Sequence, residues 1–553
     1  MKRFLLSLLF CSVALAFARQ TQQIPFTVVQ ADGTELTLVK VGDEHFHYFT
    51  TTDGVPMRLD RTTGQYVQIG QTEFEQMSAR AEQRRRQSQP RRSRALLSEG
   101  SVPNRGGALS GNKKCLVILL NFADLQMTYQ SSDFDNLFNL PGYSVNHHQG
   151  SVSDFFSGQS YGALHIGFDV VGPVTLSKGY AYYGENDEND DDMHPGTMAA
   201  EAVKLADPFV NFADYDWDGD GEVDQVFLIY AGYGDASDVS GNMPDIIWPH
   251  EWNLSEAAYY GDGPGALVLD DVTIDTYACG SELCGISGTM MDGIGTACHE
   301  FSHCLGIPDF YDTDGSIGGL GNGMGYWDVM DAGSYSGYSY NGELPTGYTS
   351  YERWFSGWLE PVELTEPGFY ELPALVDTAM AYIIYNEGNR NEYYMLENRQ
   401  NRSWHTYPED AHGLLVLHVD YDETAWYENT VNNVSRHQRM TFIAADTYLS
   451  YNYPGDTYPG TTGKTELSNT SKPKATFFNA NTDGQKLLNH VIDQITETDG
   501  IIRFRFDGGD TGLEAITCNE ASADAPVYDL LGRPVSGNAR GLTVSQGKIR
   551  FRK

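Results

Sequence analysis

The sequence predicts a multidomain α+β protein in which a domain with a mixed sheet and a buried helix is followed by a β-sandwich. The chain has 553 residues, whereas a single domain usually has about 100–200. Apolar runs typical of buried strands are mixed with helical segments between residues 115 and 360, as in α/β and α+β domains. After Pro361 the pattern changes to short apolar strands separated by Gly, Asn and Asp, which is typical of a β-sandwich over 361–506.

Composition and charge exclude several classes of protein. Hydrophobic residues make up 41% of the chain and charged residues 20%, which is enough for packed cores and too apolar for a disordered protein. The 36 Lys and Arg residues against 75 Asp and Glu give a net charge of −39. Nucleic acid and anionic lipid need cationic partners, so we expect this protein to bind neither.

The N-terminus has the pattern of an export signal. Lys2 and Arg3 precede an apolar run over 4–15, and Ala16-Phe17-Ala18 offers a small-x-small cleavage site. The run is shorter than the roughly 20 residues that span a bilayer, and no second apolar stretch follows. We therefore expect a signal peptide at residues 1–18, no transmembrane anchor, and a protein that is secreted or held at the cell surface.

Residues 19–100 are interpreted as a propeptide. Residues 24–78 alternate short strand-like runs with turns. Seven arginines then lie between Arg80 and Arg94, and such a run predicts a solvated, disordered linker. Because a linker of this kind is easily cut by a trypsin-like protease, we expect processing here by an activating protease.

The cysteines permit disulfides in an exported protein. Of the seven, Cys11 lies in the signal peptide, so six remain. Cys279 and Cys284 are near enough in sequence to close a small loop. Cys298 and Cys304 would lie about 9 Å apart along one helix, beyond disulfide reach, and the remaining pairing stays open.

Three segments within residues 101–360 are expected to be strands. Residues 115–120 and 226–230 are continuous apolar runs, typical of strands buried on both faces. Residues 164–170 alternate apolar and polar positions, which predicts a half-buried strand. Residues 197–206, between the second and third strands in sequence, predict a helix.

One segment carries residues suited to catalysis. Residues 299–303 read His-Glu-x-x-His, and apolar residues recur at intervals of three and four between Met290 and Leu305, which predicts a partly buried helix. A turn contains about 3.6 residues, so His299 and His303 share a face and their imidazoles can meet one metal ion. Glu300 projects beside that site, where it can accept a proton from the attacking water without binding the metal.

The end of this helix offers a third ligand. Gly306 can adopt the left-handed conformation that ends a helix, and Pro308 prevents its continuation. The resulting turn can bring Asp309 back to the ion, although Asp312 or a distant Glu would also serve. Two imidazoles, one carboxylate and an open position are typical of catalytic zinc sites, so we expect Zn²⁺ and metal-assisted hydrolysis.

The string from 299 to 309 resembles metzincin peptidases, and its aspartate at the third ligand position is similar to the immune inhibitor A-like secreted metallopeptidases. Further segments resemble that family at 155–162, 214–224, 293–295, 326–331 and 354–358. The resemblance extends from about residue 25 to 506. It implies a metzincin-like zinc peptidase domain over 101–360, with Met330 in the position of a Met-turn.

The last segment, 507–553, is interpreted as a linker and a sorting tail. Residues 527–533 and the basic end at Gly547-Lys548 resemble the C-terminal sorting domains of type nine secretion in Bacteroidetes. Such tails usually carry a Gly-x-Tyr strand, whereas this chain has Gly541-Leu-Thr-Val544. The resemblance implies export by that route.

A second metal site is predicted between residues 216 and 224. The residues that fit positions one, three, five, six and nine of a calcium loop are Asp216, Asp218, Asp220, Gly221 and Asp224. The twelfth position is Phe227 rather than the bidentate Glu of a full EF-hand. We expect a compact structural Ca²⁺ loop, with an acidic turn as the alternative.

Together these features predict a secreted zinc-dependent endopeptidase made as a zymogen, which hydrolyses protein or peptide substrates with Glu300 as general base and acid. The β-sandwich would support the catalytic domain or bind substrate. Two alternatives stay open: a non-catalytic surface adhesin or glycan-binding protein that has kept a peptidase fold, and a zinc amidase with a non-protein substrate. Glu300 argues against the adhesin, because a degenerate enzyme has no chemical reason to keep its base.

Overall fold

The computed structural model describes most of the chain between residues 25 and 508. The described ranges are 25–43, 46–88, 109–187, 191–243, 245–314, 321–338, 341–406, 408, 410–448 and 453–508, with four short strands between 527 and 552. The predicted signal peptide (1–18) and the second half of the arginine run, from Arg91, lie outside the described residues. None of the helices in these ranges combines the length and the apolar character that a bilayer crossing needs.

The N-terminal unit is a five-stranded antiparallel meander followed by one helix. The strands are β1 (Phe26–Val29), β2 (Glu35–Gly42), β3 (His47–Thr51), β4 (Pro56–Asp60) and β5 (Gln65–Gln68), and they pair in chain order. Helix α1 (Gln71–Ser88) packs Phe74 and Ala81 into one core with Val41 and Tyr48. The unit therefore has a small core of its own.

Helix α1 corrects the sequence interpretation of this region in two ways. Residues 71–78 were expected to continue the β-rich pattern, and Arg80 was expected to open a disordered linker. Both instead lie in the helix, because the segment is rich in Glu, Gln, Ala and Arg, which favour helix, and contains neither Gly nor Pro.

The central unit contains a mixed sheet in the order β7-β6-β8-β12-β9. Its strands are β6 (Gly111–Asn121), β7 (Leu164–Thr175), β8 (Val226–Tyr233), β9 (His250–Asn253) and β12 (Thr276–Leu283), while β10 (Leu267–Leu269) and β11 (Val272–Ile274) form a separate hairpin. The first four strands in sheet order are parallel, and the edge strand β9 is antiparallel to β12. The three strands predicted within 115–120, 164–170 and 226–230 all belong to this sheet.

Helices cover both faces of the mixed sheet. One face carries α2 (Ser131–Asn139), α3 (Val152–Gln159) and α7 (Gly295–Cys304), which share a core with Val117 and Leu119 of β6. The opposite face carries α5 (Pro195–Ala206) and α6 (Leu254–Tyr259), which pack with Leu116 and Ile118. The short helix α4 (Tyr180–Tyr183) also lies on this second side. Burial of both faces explains why β6 and β8 read as continuous apolar runs.

Helix α7 is shorter and more buried than the sequence predicts. Periodicity indicated a partly buried helix from Met290, but the helix begins at Gly295, and all ten of its residues are buried. Met290 is exposed and Met291 joins the core before the helix begins. The backbone of Gly293 and Gly295 packs closely against Ser334, Asn341 and Gly342, which leaves no room for side chains at these two positions.

The C-terminal unit contains two sheets. The larger has the order β13-β15-β16-β17-β18, and the smaller has the order β14-β20-β19. The strands are β13 (Val362–Glu363), β14 (Gly368–Leu372), β15 (Tyr382–Tyr385), β16 (Glu392–Arg399), β17 (Gly413–Asp420), β18 (Met440–Phe442), β19 (Ile492–Thr498) and β20 (Ile501–Phe506). Both sheets contribute to one core, which includes Leu396, Val416 and Phe504. The classification as a β-sandwich stays a prediction.

The core is continuous across the predicted domain boundary at residue 361. The second face of the larger sheet contributes Met395, Leu417 and Met440 to the same core as Trp327 and as Tyr351 of α8 (Ser350–Phe355). Helix α9 (Glu423–Tyr427) adds Trp426 to this core. The C-terminal unit is therefore packed into the central unit rather than linked to it loosely.

Four strands follow a segment that lies outside the described residues. They are β21 (Val527–Asp529), β22 (Pro534–Val535), β23 (Gly541–Ser545) and β24 (Lys548–Arg552), and they pair in the antiparallel order β22-β21-β23-β24. The predicted sorting role of this tail stays a prediction. No disulfide joins the cysteines in the described ranges, so the small loop considered between Cys279 and Cys284 is not closed.

We expect the substitution Gly295→Ala to destabilise the protein by about 1–3 kcal/mol, as overpacking does. An alanine Cβ at this position would lie 1.7 Å from the carbonyl oxygen of Ser334, which is backbone and cannot rotate away. Gly167→Ala is the matched control, because its Cβ would meet nothing nearer than 4.0 Å. Urea unfolding measures both variants, and equal stabilities would contradict the close crossing.

Candidate active site

Helix α7 places the two predicted histidines side by side. Ala297, Cys298 and Phe301 bury the helix against the mixed sheet. His299 and His303 are one turn apart on this helix, and their ring centroids are 5.0 Å apart at an angle of 82°. Both are nearly inaccessible, at 2% and 8% exposure.

A backbone carbonyl fixes the orientation of each imidazole. His299 Nδ1 donates to the carbonyl of Val329 at 2.8 Å, and His303 Nδ1 donates to the carbonyl of Ile307 at 2.8 Å. Each Nδ1 therefore carries a proton, and Nε2 is the ring nitrogen that faces Asp309. This is the usual arrangement for histidines that bind a metal ion.

The turn after α7 brings Asp309 to the histidine pair, as the sequence predicts. Gly306 adopts φ +86°, and the chain reverses through Pro308. Asp309 Oδ1 then lies 3.0 Å from His299 Nε2 and 3.5 Å from His303 Nε2. These three side chains form a group in which one ligand atom from each lies within 4.8 Å of the others.

Asn429 holds the far side of the same carboxylate. Its Nδ2 donates to Asp309 Oδ2 at 2.6 Å, and its Oδ1 accepts from the Asp309 backbone N–H at 2.7 Å. Burial raises the pKa of Asp309, but the imidazoles of His303 and His299 and the hydrogen bond from Asn429 outweigh it, so the pKa lies below its ordinary value. The carboxyl is therefore ionised at neutral pH, as a metal ligand must be.

The donor set fits a zinc ion. Within the described part of the chain, His299 Nε2 and Asp309 Oδ1 have no hydrogen-bond partner although both are buried, which is costly unless a ligand binds them. Ligand atoms about 2.0–2.1 Å from a tetrahedral ion lie about 3.3 Å from one another. The separations of 3.0 and 3.5 Å bracket that value.

Two further predicted site residues lie near the group of His299, His303 and Asp309: Glu300 follows His299 in α7, and Met330 follows Val329, which accepts a hydrogen bond from His299. Glu300 is fully buried and follows His299 on α7, about 100° around the helix axis. Met330 is fully buried, and its carbonyl accepts from the backbone N–H of Phe310 at 2.9 Å. The segment at 329–330 therefore contacts both His299 and the residue after Asp309, and the Met-turn role of Met330 stays a prediction.

Asp312, the alternative third ligand, is engaged elsewhere. Its Oδ2 accepts from Gly321 N at 2.8 Å and its Oδ1 accepts from Asp314 N at 3.2 Å. Burial, followed by the charge of Asp314, raises the pKa of Asp312 to about 8. Among the described residues, the groups with metal-site geometry that contain His299 and His303 include Asp309 and no glutamate.

The predicted calcium loop is brought together in part. Asp216, Asp218 and Asp220 each offer a carboxylate oxygen within 4.8 Å of the others. Asp224 lies outside this group, and its Oδ2 accepts from the backbone N–H of Trp217 at 2.6 Å. Phe227 at the twelfth position is buried in β8. The cluster is therefore smaller than the sequence predicts.

Sequence reasoning missed Asn429 and the carbonyl of Val329. Asn429 lies 120 residues from Asp309, in the segment that was expected only to support the catalytic domain or to bind substrate. A backbone carbonyl leaves no mark on the sequence. The signal for Asn429 in the sequence is the cluster of Asn429, Asn432 and Asn433. Such clusters favour hydrogen bonds from the side chains to nearby backbone.

The chain is similar to known peptidases over its central part. Residues 109–358 match the family described as Immune inhibitor A peptidase M6, catalytic domain. Pre-pro-metalloprotease PrtV of Vibrio cholerae serotype O1 is 28% identical over 284 residues, which is 44% of this chain and 29% of PrtV. Immune inhibitor A of Bacillus thuringiensis subsp. alesti is 26% identical over 226 residues, which is 37% of this chain and 31% of that protein.

The alignments thus cover less than a third of the length of these two relatives. The matched residues include α7, its histidines and Asp309, and the segment that contains Met330. Asn429 and both C-terminal sheets lie beyond the matched residues. Residues 109–358 are thus similar to the catalytic domain of the immune inhibitor A peptidase M6 family.

Proposed function

We propose that this protein is an exported zinc-dependent endopeptidase made as a zymogen. The observation that carries the proposal is the convergence of two imidazoles and one carboxylate on a single point, with Glu300 adjacent in the helix. The family match over 109–358 supports the same reaction class. His299, His303 and Asp309 are the proposed zinc ligands, and Met330 is the proposed Met-turn residue of a metzincin-like domain.

Each side chain has a separate task in this proposal. A bound Zn²⁺ supplies Lewis acidity to the carbonyl of the scissile peptide and to the attacking water. Glu300 accepts the proton of that water and later donates it to the leaving amine. The carbonyls of Val329 and Ile307 keep both imidazoles in the tautomer that binds metal through Nε2.

The export proposal rests on the N-terminal pattern over 1–18 and on the tail. A positively charged start, an apolar run and a small-residue cleavage site favour a secreted or surface protein. The four-stranded tail is compatible with a sorting domain of type nine secretion. A surface adhesin would share these features, so the chemistry of the site must decide between the two.

Glu300→Gln and Glu300→Ala should each lower the rate of casein hydrolysis by about 10²–10⁴-fold, because the proton acceptor is lost. Both variants should still bind one zinc ion, since Glu300 is not a ligand. A chelator should stop hydrolysis by the wild-type protein. An adhesin or an amidase with a non-protein substrate would leave casein intact in all samples, and that result would overturn the peptidase proposal.

The zymogen proposal is supported by the docking of the N-terminal unit on the central unit. Lys40 is buried, and its Nζ donates to Asp235 Oδ1 at 3.1 Å and lies 4.6 Å from the Trp248 ring centroid. Tyr66 donates to the carbonyl of Ser240. The ring of His47 stacks on the ring of Trp248, with the two centroids 4.3 Å apart.

We expect Lys40→Met to release the propeptide after processing. Removal of one partner from a buried ion pair costs about 3–5 kcal/mol, so binding of the cut propeptide should weaken by at least about 100-fold. Limited trypsin cleavage of the full chain, followed by gel filtration, shows whether the propeptide fragment stays bound. Arg58→Met is the control, because the Arg58–Glu73 ion pair is half exposed and lies within the propeptide.

For Arg58→Met the cut fragment should co-elute with the rest of the protein, as in the wild type. The docking model is wrong if the wild-type fragment separates at once, or if the Lys40→Met fragment stays bound as tightly as the wild-type fragment.

A structural Ca²⁺ ion in the loop at 216–220 is a further part of the proposal. Asp216 accepts from Gly219 N at 2.8 Å and from Gly221 N at 3.0 Å, which shapes the loop so that the carboxylates of Asp218 and Asp220 stay close. Three carboxylates on a tight loop are the hard oxygen ligands that Ca²⁺ prefers.

Addition of Ca²⁺ should stabilise the protein against thermal unfolding by about 2–3 kcal/mol at a hundredfold excess over the Kd. Asp218→Asn should remove most of this gain by taking away one charge. Asp483→Asn is the control, because Asp483 also shapes an exposed turn, by accepting from Gln485 N at 2.8 Å. An unfolding temperature that does not respond to Ca²⁺ would favour the alternative of an acidic turn.

A further inference from the structure

The proposed third zinc ligand is held by a residue from outside the matched peptidase domain. Asn429 contacts Asp309 twice, through the carboxylate Oδ2 and through the backbone N–H. Asp309 and Asn429 are both buried, at 4% and 8% exposure. The Asn429 amide accepts one hydrogen bond from the Asp309 backbone and donates another to the Asp309 carboxylate. Together they fix the position of the backbone and the rotation of the carboxylate.

The rotation of the carboxylate decides which oxygen faces the histidines. Because Oδ2 accepts the Asn429 amide at 2.6 Å, Oδ1 is the atom left 3.0 Å from His299 Nε2. A carboxylate without this bond would rotate about its Cβ–Cγ axis and lose one defined ligand atom. Aspartate has only two rotatable side-chain bonds, so one hydrogen bond to the distal oxygen is sufficient to fix it.

The segment that carries Asn429 is itself anchored. Asn432 Nδ2 donates to the carbonyls of Phe310 and Met440, both at 2.7 Å, and Asn432 Oδ1 accepts from Met440 N at 3.0 Å. Asn433 Oδ1 accepts from Thr313 N at 3.1 Å. The loop that follows Asp309 is thus joined at Phe310 and Thr313 to the segment between α9 and β18, and Asn432 also joins that segment to β18.

We propose that Asn429 is a positioning residue that orients Asp309 for metal binding, so that the catalytic unit extends beyond residue 358 to at least β18. The inference rests on the proposed role of Asp309 as a zinc ligand. It deepens that role by assigning to the C-terminal unit a direct part in the metal site. Partners of this kind affect metal affinity by about 10–100-fold when they are removed from other metal sites.

The test measures zinc affinity of the full-length chain by competition with a chromophoric chelator. Asn429→Ala should weaken zinc binding by about 10–100-fold. Asn429→Asp, which keeps the size of the side chain but places a second carboxylate against Asp309 Oδ2, should weaken it at least as much. If the alanine variant does not fold, the isosteric aspartate variant decides the question.

Two control variants separate positioning from general destabilisation. Asn398→Ala removes a buried asparagine amide that donates to the carbonyls of Leu372 and Gly500, at 2.8 and 2.9 Å, away from the metal ligands. It should lower the free energy of unfolding of the metal-free protein and leave zinc affinity within about threefold. Asn433→Ala loosens the loop after Asp309 without touching a ligand, and it should weaken zinc binding less than Asn429→Ala.

The visible spectrum of the Co²⁺-substituted protein gives a second readout that stability alone does not move. Its ligand-field bands should shift in Asn429→Ala and stay unchanged in Asn398→Ala. The inference is overturned if Asn429→Ala and Asn429→Asp bind zinc within threefold of the wild type, or if Asn433→Ala loses as much affinity as Asn429→Ala. A wild type that binds zinc tightly but cleaves no peptide would refute the proposed function and leave the positioning role intact.

Discussion

The proposed metal site depends on how one buried carboxylate is oriented. Asp309 presents Oδ1 to two imidazoles while Asn429 occupies Oδ2. The imidazoles are in turn oriented by the carbonyls of Val329 and Ile307. Each of the three proposed ligands is therefore oriented by a hydrogen bond. The three side chains are nearly inaccessible to solvent, so water cannot supply the hydrogen bonds that orient them. Those hydrogen bonds must come from the protein.

The residues that orient the proposed ligands come from both the central and the C-terminal units. The core that these units share brings those residues together. Arg399 of β16 is buried, donates to Glu397 beside it, and also donates to the carbonyls of Trp327 and Gly347. It thereby holds the backbone at Trp327, two residues before Val329. A buried guanidinium is costly unless it is fully hydrogen-bonded. Arg399 and Asn429 thus anchor two sides of the same site from the C-terminal unit.

The N-terminal unit is attached to the central unit by individual side-chain contacts rather than by a shared core. It has its own small cores and contacts the central unit through a buried cation, a stacked histidine and a tyrosine hydroxyl. These contacts are at residues 235–248, within the described part of the chain, and not at the histidine pair. A separate core suits the proposed propeptide, which would leave after processing, whereas the continuous apolar core joins the C-terminal unit to the central unit.

The sequence by itself determined the elements whose signal is local. Continuous apolar runs predicted β6 and β8, and the recurrence of apolar residues at intervals of three and four predicted the site helix, because periodicity records which faces are buried. Gly306 and Pro308 predicted the turn that returns Asp309. The start of α7 was placed too early, because the backbone packs closely at Gly293 and Gly295. The first arginines were assigned to a linker, although their segment favours helix and continues α1.

Only the tertiary structure decided which carboxylate meets the histidines, and in which rotation. The sequence favoured Asp309 and left Asp312 as an alternative, and in the structure Asp312 accepts from two backbone N–H groups while Asp309 faces the imidazoles. The difference arises from Asn429, 120 residues away, and from backbone carbonyls that any residue can supply. Hydrogen bonds between distant segments depend on how the units pack, and a pattern along the chain carries no record of them.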